Sequence, residues 1–380
     1  MRIVIVLTSL GMGGAEKQAL AIAERMEKHG HAVAVIALKP RVAEQWPEST
    51  RTIYLRMNKS PASFLASIRR ARRFLHDFKP DIVHSHSFHA NIFTRLLKLS
   101  DPRLAVVSTV HNVYEGGWWR MLAYRLTDPL SRRTVTVSQA AAERFIRLKA
   151  VPAHKSLVIA NGIDTAEFMP DAERRASTRA AMNADEHFVW FTAARLVPAK
   201  DFPNLIEAFR KALTEFPDAE LWIAGAPPNA KAVRHADGKT SFFWVSGMGH
   251  AIGKHVRWLG LRRDIPALLD AADAFVLSSA WEGMPLALGE AMAMEKPVVV
   301  TDAGGVRELV GDAGMLVPVE NHEELARAMI ATMQKSREER AELGRAARMR
   351  IRDHFNLDGS VNAWEKLYKQ LTANSEQQVR

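Results

Sequence analysis

The chain has 380 residues and a mass of 42.4 kDa, more than one hydrophobic core usually organises, so two domains of roughly 150–200 residues each are expected. Hydrophobic residues make up 47% and charged residues 25%, which excludes a disordered or fibrous chain, and the absence of cysteine excludes a disulfide scaffold, a zinc ribbon, an iron–sulfur site and a thiol nucleophile. Residues 1–150 hold 24 basic and 11 acidic side chains, a net of +13, whereas residues 151–380 net −3, so the excess points the first part of the chain at an anionic partner, unless it is only an arginine-rich solvated face.

Residues 1–8 carry one charge and a short apolar run before Gly11, which reads as a buried first strand rather than a signal peptide. No stretch approaches the roughly 18–20 apolar residues of a membrane span, so a soluble or peripheral cytoplasmic protein is expected. Short β-branched runs then alternate with helix-period segments. Strands are expected over 3–7, 33–38, 82–84, 106–110 and 133–137, and helices over 15–28, 62–78 and 90–99. The rhythm restarts with a strand over 156–159 and the turn Asn161-Gly162, then a polar stretch over 169–186. Strands follow over 188–193, 220–224, 256–259, 274–277 and 297–301, spaced by helices over 204–214, 265–271 and 286–294. The rest is helical from about 321, with a break at Phe355 and Asn356. Between Gly225 and Lys254 the pattern breaks down into an irregular excursion. A β-then-α rhythm of this kind builds doubly wound parallel sheets, here two in tandem.

Three clusters bear on chemistry. Gly11, Gly13 and Gly14 form a glycine-rich turn opening a helix, either a tight turn or an anion site made of free amides and helix dipole. The spacing is not the dinucleotide fingerprint, and no acidic residue ends the second strand, which argues against a nicotinamide oxidoreductase. Arg195 and Lys200 follow the strand over 188–193, where a parallel sheet offers its ligand crevice, and they suit a diphosphate as fork and point charge. After the strand over 274–277 come Glu282, Gly283, Met284, Pro285, Leu286 and Glu290, with Glu282 at the mouth of a helix and Glu290 within it. One carboxylate can reach sugar hydroxyls and the other ribose hydroxyls, while amides and the dipole hold phosphate between them.

At this point the chain resembles the retaining glycosyltransferases of group 1, family 4, which have the GT-B fold. Gly13, Gly14 and Glu16 are similar to that family's N-terminal glycine loop. Asp81, His84, His86, His89 and Ala90 match a strand-end motif, and Thr109, His111 and Asn112 another, although Asn112 stands where the family often has Asp. Ser138, Asn161, Gly162, Asp164, Arg195, Lys200, Gly260, Asp264, Pro266, Glu282, Glu290, Gly304 and Gly305 follow in family order. The resemblance implies two Rossmann-like domains facing each other across a deep cleft: an acceptor domain over 1–165 with the returning segment 361–380, and a nucleotide-sugar domain over 166–360.

It further implies a hexose moved, with retention, from a UDP- or GDP-linked donor to a lipid-linked or polysaccharide acceptor in cell-surface glycan synthesis. Arg195, Lys200, Glu282 and His111 would be the catalytic residues. Gly13, Gly14, Gly283, Met284, Pro285, Leu286 and Glu290 would bind the donor. No cofactor and no metal are expected, since the cations take a metal's place; His84, His86 and His89 have a metal-like spacing but read as packing and acceptor-pocket residues. A GT-B epimerase or phosphorylase shares the fold and is the alternative. Nucleic acid is not expected as a partner, because the basic half lacks an aromatic-interleaved strand or a recognition-helix pattern. The helix over 61–80 sets Phe64, Leu65, Ile68, Leu75 and Phe78 at helical spacing beside Arg69, Arg70, Arg72 and Arg73, which suggests contact with an anionic membrane surface even if the stripe itself faces a core.

Overall fold

A computed structural model describes residues 1–377 apart from 12, 41–49, 226–232, 235–239 and 242–252. The chain divides into two compact units, Met1–Gly162 with Leu357–Arg380, and Ile163–Asn356.

The first unit is a seven-stranded parallel sheet. Its strands are β1 (Arg2–Leu7), β2 (Ala32–Ala37), β3 (Arg51–Tyr54), β4 (Ile82–His86), β5 (Val106–Val110), β6 (Arg133–Thr136) and β7 (Ser156–Val158), in the order β3-β2-β1-β4-β5-β6-β7. Helices α1 (Gly14–Lys28), α2 (Pro61–Phe78), α3 (Phe88–Leu97), α4 (Trp118–Thr127) and α5 (Gln139–Arg147) lie between them. Strands buried on both faces read as unbroken β-branched runs, and β1 is one: all but Arg2 are buried.

One face of the sheet packs Ile22 and Met26 of α1 together with Val361, Trp364, Leu367 and Tyr368 from the late helix Leu357–Gln377. The other packs Ala71, Phe74, Leu75 and Phe78 of α2 with Phe93 and Leu97 of α3. Apart from Leu65, which is exposed, the apolar stripe of α2 is thus spent on the core, while Arg69, Arg70, Arg72 and Arg73 are exposed. Gly162 lies where the late helix begins: a Cβ there would stand 2.6 Å from the Cα of Leu357.

The second unit opens with α6 (Ala172–Ala181), inside the stretch over 169–186 that the sequence marks only as polar. It carries no large apolar side chain and is fixed instead by charge: Arg175 and Arg179 both pair with Asp273, at 2.6 and 3.1 Å. The sheet comprises β8 (Val189–Ala193), β9 (Glu220–Ala224), β12 (Val256–Gly260), β13 (Ala274–Leu277), β14 (Val298–Thr301) and β15 (Met315–Val317), in the order β12-β9-β8-β13-β14-β15 and all parallel. A separate antiparallel pair, β10 (Val233–Arg234) and β11 (Thr240–Ser241), belongs to the excursion read between Gly225 and Lys254, most of which lies outside the described residues. Helices α7 (Phe202–Ala212), α8 (Ile265–Ala271), α9 (Leu286–Ala293), α10 (Val306–Val310), α11 (His322–Gln334) and α12 (Arg337–His354) complete the unit, and the helix α13 (Leu357–Gln377) belongs to the first.

Both sheets reverse direction once. In the first unit the winding runs outward from β1 and resumes at β4; in the second it runs outward from β8 and resumes at β13. Such a reversal splays the loops that leave the carboxyl ends of two adjacent strands and opens a crevice between them.

Candidate active site

In the second unit the loops at the reversal are residues 194–201, after β8, and 278–285, after β13. They are tied to each other. Ala280 N donates to Ala199 O at 2.9 Å, and Ser278 Oγ donates to Lys200 O at 2.8 Å and Asp201 O at 3.1 Å. Thr301, at the end of β14, donates to Ser279 O at 2.6 Å. Asp201 adopts a left-handed conformation (φ 42°) and caps α7 by accepting from Asn204 N. Gly225, at the end of β9, packs so closely on the first loop that a Cβ there would overlap the carbonyl oxygen of Ala194.

The tying brings Lys200 and Glu282 together. The ammonium pairs with Glu282 Oε1, and Ser279 Oγ donates to the same oxygen at 2.7 Å. Glu282 is buried and Lys200 nearly so, and a pair removed from water in this way persists only when both charges are matched. Arg195 differs. Its side chain is exposed and has no ion-pair or hydrogen-bond partner among the described residues.

Beyond Glu282, Gly283, Met284 and Pro285 are buried, and α9 starts at Leu286. Pro285 is the N-cap residue and has no side chain able to accept from the first-turn amides, so the positive end of α9 is uncapped. Glu290 is buried in the second turn. A pocket of about 520 Å³ adjoins this region, lined by Asp201, Asn204, Trp281, Glu320 and His322 among others.

In the first unit the equivalent reversal carries Gly13 and Gly14. The chain's own carboxylate lies beside this turn: Glu16, in the first turn of α1, folds back over Gly13, and Ser9 Oγ donates to its Oε1 at 3.2 Å. Glycine at position 13 leaves room for that carboxylate, which itself answers the helix dipole.

His84 and His86 end β4, and His111 follows β5. They form a ladder rather than a metal cage. His84 Nδ1 contacts Tyr368 Oη and its Nε2 contacts Thr109 Oγ1, both at 2.6 Å, leaving neither nitrogen open. His86 Nδ1 lies 2.9 Å from His111 Nε2, and His86 Nε2 is buried without a partner among the described residues. His89 stands apart, exposed on α3. Burial holds His84 down to about 3 and His111 to about 4, with His86 also well below the ordinary imidazole value, so all three are neutral near pH 7.

Glu115 backs this ladder. Its Oε1 accepts from His111 N at 3.4 Å and its Oε2 from Tyr124 Oη at 2.6 Å, while Tyr124 accepts from Asn91 Nδ2 at 2.9 Å. Burial pushes the Glu115 carboxyl up to about 7. Sequence reasoning overlooked Glu115, Tyr124, Asn91 and Ser279. A lone Glu four residues after a strand-end histidine carries no periodic signal; the turn between them, in which Asn112 Oδ1 accepts from Tyr114 N at 3.1 Å, brings it back.

Two family models match the chain. The one described as Glycosyl transferases group 1 covers residues 174–350, and the one described as Glycosyltransferase Family 4 covers residues 12–167. The chain belongs to the group 1, family 4 glycosyltransferases.

Among relatives of this glycosyltransferase is the UDP-Gal:alpha-D-GlcNAc-diphosphoundecaprenol alpha-1,3-galactosyltransferase of Escherichia coli, 26% identical over 78% of this chain and 77% of that protein. Another is the phosphatidyl-myo-inositol mannosyltransferase of Mycobacterium tuberculosis, 25% identical over 81% and 79%. Among solved structures, Anabaena HepE in complex with UDP and glucose superposes with a TM-score of 0.83 at 21% identity, covering 97% of this chain and all of that one. WaaG, a glycosyltransferase involved in lipopolysaccharide biosynthesis, does so with a TM-score of 0.73 at 16% identity, covering 98% and 100%. The two parallel-sheet units are those of the GT-B fold.

Proposed function

We propose that the enzyme transfers a hexose with retention from a UDP- or GDP-sugar, held by the second unit, to a lipid-linked or polysaccharide acceptor, held by the first, in bacterial cell-surface glycan assembly. The observation that carries this reading is the grouping of Lys200, Glu282 and Ser279 beside the uncapped start of α9, with Arg195 unpaired on the same loop. The relatives' acceptors, a diphosphoundecaprenol-linked sugar and a phosphatidylinositol, support a lipid-linked acceptor.

As the anomeric C1–O bond breaks, negative charge grows on the departing diphosphate. Arg195 supplies a fork for it, Lys200 a point charge, and the amides of residues 283–286 a dipole. Charges fixed in place in this way stabilise the developing charge without reorganising. Glu282, held by Lys200 and Ser279, orients the sugar hydroxyls, and Glu290 takes the ribose. His111, neutral, hydrogen-bonds the sugar. Same-face attack by the acceptor then retains the configuration, and the cations do the work a divalent ion does elsewhere. The exposed arginines of α2 and the basic balance of residues 1–150 support work at an anionic membrane surface on the cytoplasmic side.

The test is a thermal-shift screen of nucleoside diphosphates and nucleotide sugars, followed by product analysis with and without acceptor and with excess EDTA. Stabilisation by a nucleotide sugar, transfer only with acceptor, an unchanged anomeric configuration and full activity in EDTA are expected. Conversion of the donor without acceptor would identify an epimerase instead. Loss of activity in EDTA, restored by Mn²⁺ or Mg²⁺, would remove the metal-free route.

A further inference from the structure

We infer that helix α4, rather than α2, is the element that enters the lipid: its outer face docks on an anionic bilayer, with Trp118, Trp119, Leu122 and Leu126 in the interface and Arg125, Arg147 and Lys149 on the phosphates. This rests on the proposed work at a membrane surface and names the part of the molecule that makes the contact.

Four large apolar side chains are exposed on this one ten-residue helix: Trp118 at 77%, Leu126 at 70%, Trp119 at 50% and Leu122 at 42%. At 100° per residue, these four and Arg125 fall within about a third of the helix circumference. The opposite side supplies the anchor, where Tyr124 is fully buried against Phe88 and Phe145. The outward face is therefore a continuous apolar strip held rigidly by the core behind it. Single exposed apolar residues are ordinary, but a contiguous strip marks a surface that meets something.

Charge identifies what it meets. Arg125 and Lys149 line one pocket of about 370 Å³ at the end of α4, together with Ile146, Val151 and Asp128. Arg147 and Leu148, also exposed, precede Lys149. Cations beside an apolar strip containing two tryptophans match the boundary between head groups and acyl chains, where indoles reside and phosphates are within reach. A second copy of this chain docked through the same face would set these cations against their own copies, which opposes a symmetric dimer. Helix α2 has the opposite character: Phe74, Leu75 and Phe78 are buried and Phe64 and Ile68 pack on them, so beside its arginines it exposes Leu65 alone, a single apolar side chain rather than a strip.

The test is co-sedimentation of the full chain with phosphatidylcholine vesicles, with and without phosphatidylglycerol, alongside three variants. These are Trp118→Ser/Trp119→Ser/Leu122→Ser/Leu126→Ser, Arg125→Gln/Arg147→Gln/Lys149→Gln, and Arg69→Gln/Arg70→Gln/Arg72→Gln/Arg73→Gln. The wild type is expected to pellet with phosphatidylglycerol vesicles. The serine variant should lose affinity by about tenfold or more, the α4-side glutamine variant should lose its preference for phosphatidylglycerol, and the α2 variant should still insert. Quenching of tryptophan emission by brominated acyl chains, reduced by Trp118→Phe/Trp119→Phe, gives a second readout that leaves the helix face apolar. Equal pelleting of the serine variant and the wild type would overturn the proposal while leaving membrane association standing. So would a wild-type dimer that the serine variant dissolves. If the wild type bound no vesicle, both the docking face and the membrane location would fall. Transfer to a soluble acceptor analogue would then show that the glycosyltransferase reading survives on its own.

Discussion

His86 Nδ1 and His111 Nε2 stand 2.9 Å apart, so one ring donates to the other, and each settles the other's tautomer. His86 Nε2 is buried and has no partner among the described residues. A buried N–H without an acceptor is the rarer defect, which favours His86 carrying its proton on Nδ1 and giving it to His111. His111 then holds its own proton on Nδ1, the nitrogen that has no partner among the described residues, which leaves a donor for the sugar contact proposed above. His86 is therefore a positioning residue. His86→Leu should lower kcat by about tenfold with little change in donor KM, because the orientation of His111 is lost while donor binding is not. Steady-state kinetics separate the two parameters, and an unchanged kcat would dissolve the coupling.

Lys200 and Glu282 share one ion pair, so neither can be removed without stranding the other in a dry site. Lys200→Ala is expected to lower turnover on the order of 10²–10⁴ and to destabilise the second unit as well. Glu282→Ala should do much the same, and the double variant should be scarcely worse than either single one. Arg195→Ala, at an exposed position, should cost turnover with no loss in melting temperature. A double-mutant cycle read by both kcat and thermal unfolding checks all three, and additive losses at 200 and 282 would refute the shared role.

The buried groups around His111 make stability depend on pH in two senses. The carboxyl of Glu115, raised to about 7 from an ordinary value near 4.5, contributes stability that is present below about 4.5 and lost as pH rises through 7. His84 and His111, lowered to about 3 and 4, do the reverse: their contribution is present above about 6.5 and lost as pH falls toward those values. Glu115→Gln should therefore raise the melting temperature relative to wild type at pH 8 and leave it nearly unchanged at pH 5. Melting curves across that range provide the check, and a shift of equal size at both ends would detach Glu115 from the titration.

Gly225 holds φ at 156° against the loop that carries Arg195. Gly225→Ala forces a Cβ onto the Ala194 carbonyl, so the loop must move. Donor affinity is expected to fall by about tenfold or more, with a loss of a few kcal/mol in stability. Nucleotide titration and thermal unfolding would measure both, and wild-type affinity would show that the loop yields freely.

What the sequence revealed and what it hid follow from the range of the forces involved. The buried strands, such as Val298–Thr301, were legible because a strand covered on both faces is apolar without interruption. Lys200 and Glu282 were legible as separate residues, each after a strand. Their pairing across 82 positions was not, because it depends on Ser278 and Ala280 tying two loops together. Helix α4 escaped because its strongest apolar residues face outward, which blurs the periodicity a core-facing helix displays. Glycines 13 and 14 were legible as a glycine turn opening a helix, but the carboxylate of Glu16 folding back beside Gly13 was not, because it depends on the local geometry of that turn.

Helix α13 places the hydroxyl that fixes His84 at residue 368, 284 positions downstream of the imidazole it orients. During synthesis the whole second unit emerges before that hydroxyl does. The first sheet therefore waits, with the cavity beneath Trp364 and Tyr368 unfilled, while its later-made neighbour can already have closed its own core. Completion of the histidine ladder is consequently among the last events in the birth of the molecule. A chain cut short by a premature stop just before residue 357 would leave the ribosome with its second unit whole and its first unit without one wall.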